Sequence, residues 1–418
     1  MKKAMILGAG RGQIPIMNIC HDYGWYVLAI SPEGNYPGLN VADKVCYLDV
    51  KNKEVVLEVA KKEKIQAVLT DQLDAGVQTA AYVAEKMGLP GITSEVALKF
   101  TNKYIMRQEA KKIGVNVPYA VSVFKLEDAL TLLNNDPQLK FPLMMKPVDN
   151  AASKGVYKVK CIDDVIKKFE SSKRYSGSGE VIMERFIEGR EYVVEAFTRD
   201  YEVKNLVVGH RDYFQIPDTF IPNATVFIDA DSANSDLEKR LKAINKALVT
   251  GYGLKFGITH GEYIYNENED RIYLVEIAAR GGGVFISSDL IPGASGVNAN
   301  DLLVREALGI NERHDIKIEK GASAYFCYLT PRGTVTALNG VNEVEQINGV
   351  IRAFFDNIGI GTVSNSITDK SSRKGPILVR GESKAKCYDI IEQVKKTLDI
   401  KITDNGQDHN VIWHDITN

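Results

Sequence analysis

The sequence predicts a multidomain protein of mixed α/β and α+β class, on three observations. Strand and helix alternate through the first hundred residues, a small α/β unit fills the span from about Val117 to Phe186, and long strands follow it. Regular alternation signals parallel βαβ units with helices on both faces, whereas clustered strands fit the α+β class. At 418 residues the chain exceeds one ordinary core, so two or three domains are expected.

Each element has a local cause. KAMILGAG, a helix through Ile14 to Tyr23, WYVLAIS, ADKVCYLDV, a helix from Lys53 to Glu63 and IQAVLTD set the βαβ rhythm. AGVQTAAYVAEKMG supplies another helix, stopped by Gly88 and Pro90. SEVALKFTNKYIMRQEAKKIG is helical, and VNVPYAVSVF begins a new sheet. The unit after it holds FPLMMKPV, GVYKVK, a helix at DVIKKFESS and the strand EVIMERFI, with SSKRYSGSG joining helix to strand. REYVVEAFTRD and EVKNLVVGH are long strands, and a helix from Ser235 to Gly251 precedes THGEYIYNENEDRIYLVEIAAR, two strands about the polar turn NENED. After a helix at ANDLLVREALGI come the short strands ASAYFCYL, GTVTAL and GPILVRGE and a helix at YDIIEQVKKTL, and the last dozen residues carry little pattern. The expected division is residues 1–100, 101–310 with a lid at about 117–186, and a strand-rich 311–418.

Composition excludes several classes. With 52 Lys plus Arg against 54 Asp plus Glu, the net charge of −2 offers nucleic acid no electrostatic footprint. The opening MKKAMILGAGRG is interrupted by Arg11 far short of a signal-peptide core, and no stretch approaches a membrane span. Five scattered cysteines form no CxxC pair, so neither a disulfide framework nor a zinc site is expected. A soluble, cytoplasmic protein is the expectation.

The chemistry begins with Glu262 and Glu276, fourteen residues apart in the hairpin. If the hairpin folds symmetrically about Glu269, the two carboxylates oppose each other on one face, which is destabilising by up to roughly 1 kcal/mol unless something positive is held between them. A divalent cation carrying a phosphate fits, and an open hairpin with two surface acids is the alternative. Arg280 and Gly281 to Gly283 follow, an anion fork and a backbone that a ligand can approach closely. Lys146 ends the apolar run FPLMM, where a lysine is rarely buried without a partner. Lys103 lies on the helix TNKYIMRQEA, and DNAASKG holds small residues able to turn N–H groups toward a phosphate, with Lys154 for charge. MERFIEGREYVVEAF places Glu184, Glu188 and Glu191 in a strand, turn, strand pattern, either an exposed acidic turn or a nucleotide hinge. GAGRGQ, between strand and helix, invites a dinucleotide, but Gln13 replaces the third glycine and Glu33 sits in a Pro/Gly turn.

The order of these motifs, helix lysine, strand lysine, small-residue loop, acidic hinge, paired acids and arginine, resembles the ATP-grasp superfamily of the carboxylate-amine ligase type, preceded by its βαβ domain. ADKVCYLDV, GLPGITSE and the strand-rich carboxyl-terminal region extend the resemblance over nearly the whole chain. The resemblance implies the ATP-grasp fold, ATP and Mg2+ as cofactors with Mn2+ a substitute, and small-molecule carboxylate and amine substrates. It implies that Lys103 and Lys146 contact phosphates, that the loop through Ser153 and Gly155 closes over them, and that Glu184 with the backbone at Phe186 and Ile187 holds adenine. Glu191 would take the ribose, Glu262 and Glu276 the metal, and Arg280 the acyl phosphate. Ala278 stands where the family commonly has asparagine, two residues after the second metal acid. IAARGGGVFISSDLIPG lacks the run that follows the arginine in biotin carboxylases, and YLTPRGTV and GPILVRGES look more like amino-acid ligases. His210, Arg211 and Tyr213 in GHRDYFQIPDTFIP are expected to contact substrate. No membrane or nucleic-acid partner is expected, and a homodimer is allowed. The competing readings are a nucleotide-binding regulatory protein with decayed catalysis and a dinucleotide-dependent oxidoreductase.

Overall fold

β1 (Lys3–Leu7), β2 (Tyr26–Ser31), β3 (Lys44–Tyr47) and β4 (Ala67–Leu69) form a parallel sheet in the order β3-β2-β1-β4. These coordinates are a computed structural model that describes residues 2–150, 153–216, 219, 221–310, 314–365, 367 and 372–413. β2, β1 and β4 are apolar on both sides because both sides are covered, whereas β3 is a half-exposed edge. Ala4, Ile6, Val27 and Ala29 pack on the helix Ile14–Asp22, and Met5, Leu7, Leu28 and Ile30 on the helices Lys53–Glu63 and Asp74–Met87.

β5 (Ala120–Val123), β6 (Leu143–Pro147), β7 (Tyr157–Val159) and β8 (Val181–Arg185) pair antiparallel in the order β5-β8-β6-β7. Helices Leu126–Asn135 and Ile162–Arg174 close over them around Met145, Val165 and Phe169. The first of these helices is not among the expected elements. Its start is marked by Glu127 and Asp128, acids that the positive end of a helix favours.

β9 (Arg190–Arg199), β10 (Glu202–Tyr213), β11 (Pro222–Asp229), β12 (Gly257–Asn266), β13 (Arg271–Ala278), β14 (Ala322–Leu329), β16 (Val350–Ala353) and β18 (Arg373–Gly381) make one antiparallel sheet in the order β13-β12-β9-β10-β11-β14-β18-β16. The strands after residue 310 therefore extend the sheet that carries the paired acids. β15 (Gly333–Asn339), β17 (Val363–Ser364), β19 (Asp399–Asp404) and β20 (Gln407–Asn410) form a separate small sheet, so part of the weakly patterned end is a strand.

The two faces of the eight-stranded sheet do different work. One is covered by the helix Asp236–Tyr252, through Leu241, Leu248 and Tyr252, and by the helix Lys384–Thr397, through Cys387, Ile390 and Ile391. On the other, Val193, Phe197, Val207, Phe227 and Ile258 share a core with Ala4 and Ile6 of the first sheet and with Ile286, Leu290 and Leu303. Along that second face Glu191 and Glu195 of β9, Arg211 of β10, His260 and Glu262 of β12 and Glu276 of β13 make the site. No helix among the described residues is long and apolar enough to cross a membrane, and the five cysteines are free.

Candidate active site

β12 and β13 run in step from Asn266–Arg271 to Tyr263–Leu274 and then slip by one residue, so that Glu262 pairs with Glu276. Without the slip Glu262 would face Val275 and Glu276 would point to the opposite face. The extra residue is Val275, a bulge of the kind that re-aims side chains beside active sites. Arg107 Nη2 donates to its carbonyl at 2.6 Å, and Leu274 N–H donates to Asn116 O at 3.0 Å. The acids face each other as expected, but a pinned bulge achieves it.

Lys103 is the first residue of the helix Lys103–Lys112, whose N-cap Asn102 accepts from Ile105 N–H. A cation there opposes the helix dipole. Its Nζ is compensated by Glu276 Oε1 at 2.9 Å and Asn150 O at 2.7 Å, which puts Lys103 beside the paired acids. Arg107, one turn on, is 1% exposed and holds Glu184 with Nε 3.1 Å from Oε2, while Lys146 takes Oε1. Tyr252 fixes this helix by donating to Met106 O at 2.7 Å. Tyr252→Phe should cost about 1 kcal/mol in urea unfolding, the worth of one buried hydrogen bond. Burial alone would raise the Glu184 carboxyl, but Arg107 and Lys146 hold it below its usual value. Burial, against the pull of Glu184, lowers the Lys146 ammonium, with Arg107 adding to the shift.

Both oxygens of Glu184 are taken by buried cations, so it holds Lys146 and Arg107 in place. In the hinge that follows, Phe186 N–H is bonded to Pro142 O at 3.3 Å, and its ring lies 3.6 Å from Lys158 Nζ. Ile187 N–H has no hydrogen bond among the described residues. Glu188 is exposed, and Gly189, at φ +148°, lies so close to Tyr265 O that no side chain fits. In the small-residue loop, Ser153 and Lys154 are exposed and Ser153 and Gly155 have positive φ, while Ala151 and Ala152 lie outside the described residues.

Strand alternation divides the three expected substrate contacts. Arg211 and Tyr213 share the face of Glu191 and both bond its carboxylate, and Arg211 Nη1 also lies 2.7 Å from Glu262 Oε1. Burial and the nearby Glu262 raise the Glu191 carboxyl, whereas Arg211 and His260 overcome burial and hold Glu262 well below its usual value. His210 points to the other face, 3.3 Å from the Tyr388 hydroxyl and 3.7 Å from Asp212, so its assignment to the substrate is corrected. Pro217, Asp218 and Phe220 of the same segment lie outside the described residues.

Arg280 is gripped by Asp74, with Nε at 2.9 Å and Nη2 at 2.8 Å, and its Nη1 donates to Gly281 O at 2.9 Å. Burial is outweighed by Asp74, and the guanidinium pKa rises. Asp71, fully buried, accepts from Gly281 N–H at 2.8 Å, Ser287 Oγ at 2.5 Å and Asn300 Nδ2 at 2.8 Å. Two acids that follow β4 thus set the loop after Arg280. The turn GAGRGQ is filled from within: Gln13 Oε1 accepts from Gly10 N–H at 2.9 Å and Nε2 donates to Asp71 O at 2.6 Å. A pyrophosphate would have to displace that side chain.

Sequence reasoning missed Arg107, Asp71, Asp74, Glu195 and His260. Arg107 had a signal, four residues after Lys103 on one helix face; Asp71 and Asp74 act on Gly281 and Arg280, far along the chain. Among the described residues no group of three or more His, Cys, Asp or Glu is arranged for a metal ion. Glu262 and Glu276 nevertheless suit a hard cation, because each keeps Oε2 without a hydrogen bond among the described residues. Mg2+ is commonly held by one or two carboxylates with water and phosphate completing its shell.

An ATP-grasp domain profile matches residues 139–289, a span that includes Lys146, Glu184, Glu191, both paired acids and Arg280. Over 334 residues, 74% of this chain and 78% of the other, the chain is 25% identical to a formate-dependent phosphoribosylglycinamide formyltransferase of Bacteroides thetaiotaomicron. It is 27% identical over 243 residues, 56% of its length, to a urea amidolyase of Lachancea kluyveri but spans only 13% of that protein. Among solved structures, the L-amino acid ligase of Bacillus licheniformis superposes with a TM-score of 0.79 at 21% identity, covering 97% of this chain and 99% of that one. A phosphoribosylglycinamide synthetase of Anaerococcus prevotii gives 0.71 at 22% identity, covering 96% and 100%.

Proposed function

We propose that this chain, a member of the ATP-grasp superfamily and an enzyme of its carbon–nitrogen ligase branch, joins a small carboxylate to an amine through an acyl phosphate, releasing ADP and phosphate. The observation that carries the reading is the bulge-set pair Glu262 and Glu276, with Lys103 beside it and the buried Lys146 tied to the same helix through Glu184 and Arg107. A substrate carboxylate oxygen attacks the γ-phosphorus and the bond to ADP breaks; the amine nitrogen then attacks the acyl carbon, loses a proton and expels phosphate. Mg2+ or Mn2+ on the two carboxylates would neutralise phosphate charge. Lys103 and Lys146 supply fixed positive charge for the transferring group. Ile187 N–H is the donor for the adenine edge. Arg280, immobilised by Asp74, meets charge developing on the acyl group without reorganising.

Arg211 has a role that follows from its present partners. Its Nη1 is held by Glu191 and Glu262, whereas its Nε is buried without a hydrogen-bond partner among the described residues, which leaves the fork a donor for the substrate's carboxylate. Arg211→Ala should raise the KM for the carboxylate about 10- to 100-fold, the worth of a charged hydrogen bond. Unchanged constants for both substrates would remove Arg211 from the site.

The experiment for the whole reading is ADP release with ATP and magnesium over pooled carboxylates and amines, followed by mass measurement of the product. ATP binding without ADP release from any pool would favour the regulatory reading. The oxidoreductase reading predicts that NAD raises the melting temperature. We expect ATP with magnesium to raise it and NAD to leave it unchanged, since Gln13 fills the glycine turn.

A further inference from the structure

His260 has no part in that chemistry, yet its ring is locked between two carboxylates beside it. Nδ1 bonds Glu195 Oε1 and Nε2 lies 3.0 Å from Glu262 Oε1. Glu195 is 0% and His260 6% exposed, so neither is a surface ornament. A carboxylate buried that deeply costs several kcal/mol unless it is neutralised and hydrogen-bonded. Glu195 has His260 on one oxygen and Gly282 N–H, at 3.4 Å, on the other.

The surroundings are cut to this pair. A Cβ on Gly282 would lie 2.8 Å from His260 Nδ1 and 2.9 Å from Glu195 Oε1, so only glycine lets the loop after Arg280 close here. Across the hairpin His260 is paired with Ala278, whose methyl leaves room for the ring and offers no polar atom. Glu262 receives both of its donors on Oε1, from His260 and Arg211, which turns Oε2 outward. An imidazole anchored on its far side fixes such a carboxylate far better than a mobile surface partner.

We propose that Glu195 and His260 are a positioning dyad that sets the rotamer of Glu262 as a divalent-ion ligand and ties that carboxylate to the glycine loop carrying Arg280. The dyad rests on the reading of Glu262 as a metal ligand, and the test separates the two. In the full-length enzyme, Mn2+ binding is measured by electron paramagnetic resonance with a non-hydrolysable ATP analogue, for wild type, Glu262→Gln, His260→Ala, His260→Gln and Glu195→Gln. His260→Ala and Glu195→Gln should weaken Mn2+ binding about 10- to 100-fold. Analogue binding without metal should stay the same, and kcat should be largely recovered at saturating metal. His260→Gln, whose amide still reaches toward Glu262, should recover part of the loss. If His260→Ala fails to fold, the isosteric Glu195→Gln carries the comparison. Wild-type Mn2+ affinity in folded Glu195→Gln and His260 variants, with Glu262→Gln impaired, overturns the dyad alone. Equal Mn2+ binding by wild type and Glu262→Gln overturns the metal reading and the dyad with it.

Discussion

Glu276→Gln is expected to lower metal-dependent ADP formation by about a thousandfold or more, while the protein folds and binds ATP. The rate loss follows from charge. A metal clamp is worth several kcal/mol in the transition state, and at about 1.4 kcal/mol per factor of ten its loss spans orders of magnitude. The retained fold follows from the partners of Glu276. Lys103 keeps Asn150 O at 2.7 Å and finds an amide oxygen in place of Glu276 Oε1, and the opposed charge of Glu262 is relieved. A stability loss of about 1 kcal/mol at most is expected in urea unfolding. Turnover at the wild-type rate with magnesium would sink the assignment of this carboxylate to the metal.

How much of this was legible in the chain depended on range. The βαβ rhythm of residues 1–100 and the long strands after Arg190 are written in local periodicity, and the sheets follow it. The opposition of Glu262 and Glu276 was legible from the turn, but only because Val275 is extra. Counting outward from the closing pair Asn266–Arg271 gives the wrong partner until the bulge is included. Glu184 shows the opposite limit. Its position in MERFIEG is visible, but its partners Arg107 and Lys146 lie 77 and 38 residues away, and only folding reveals that both oxygens are spent. His210 and Arg211 show that alternation was available and decisive, since adjacent residues in one strand cannot serve the same face. Asp71, Asp74 and Glu195 carry no local pattern at all: their partners Gly281, Arg280 and His260 belong to distant segments.

Glu184→Gln is expected to destabilise the protein by about 3–5 kcal/mol, the largest stability effect of any single change at this site. The carboxylate neutralises Arg107 and Lys146, both enclosed, and its removal leaves two buried cations facing a neutral amide. The damage should spread to the site, because the same Arg107 holds the Val275 carbonyl that sets the bulge. A shift of Glu276 relative to Glu262 would then weaken metal binding as well as the fold. The pH dependence has a definite sign. The folded Glu184 carboxyl sits below its usual value near 4.5, so its contribution is present above that pH and is lost as pH falls further. Wild type should therefore lose stability on acidification along a limb that Glu184→Gln lacks. Adding Lys146→Met to Glu184→Gln removes one of the stranded charges and should restore part of the loss, a non-additivity that a double-mutant cycle reads directly. If the two substitutions prove additive in urea unfolding, Glu184 and Lys146 are not paired, and the buried network cannot be what holds the hairpin in register.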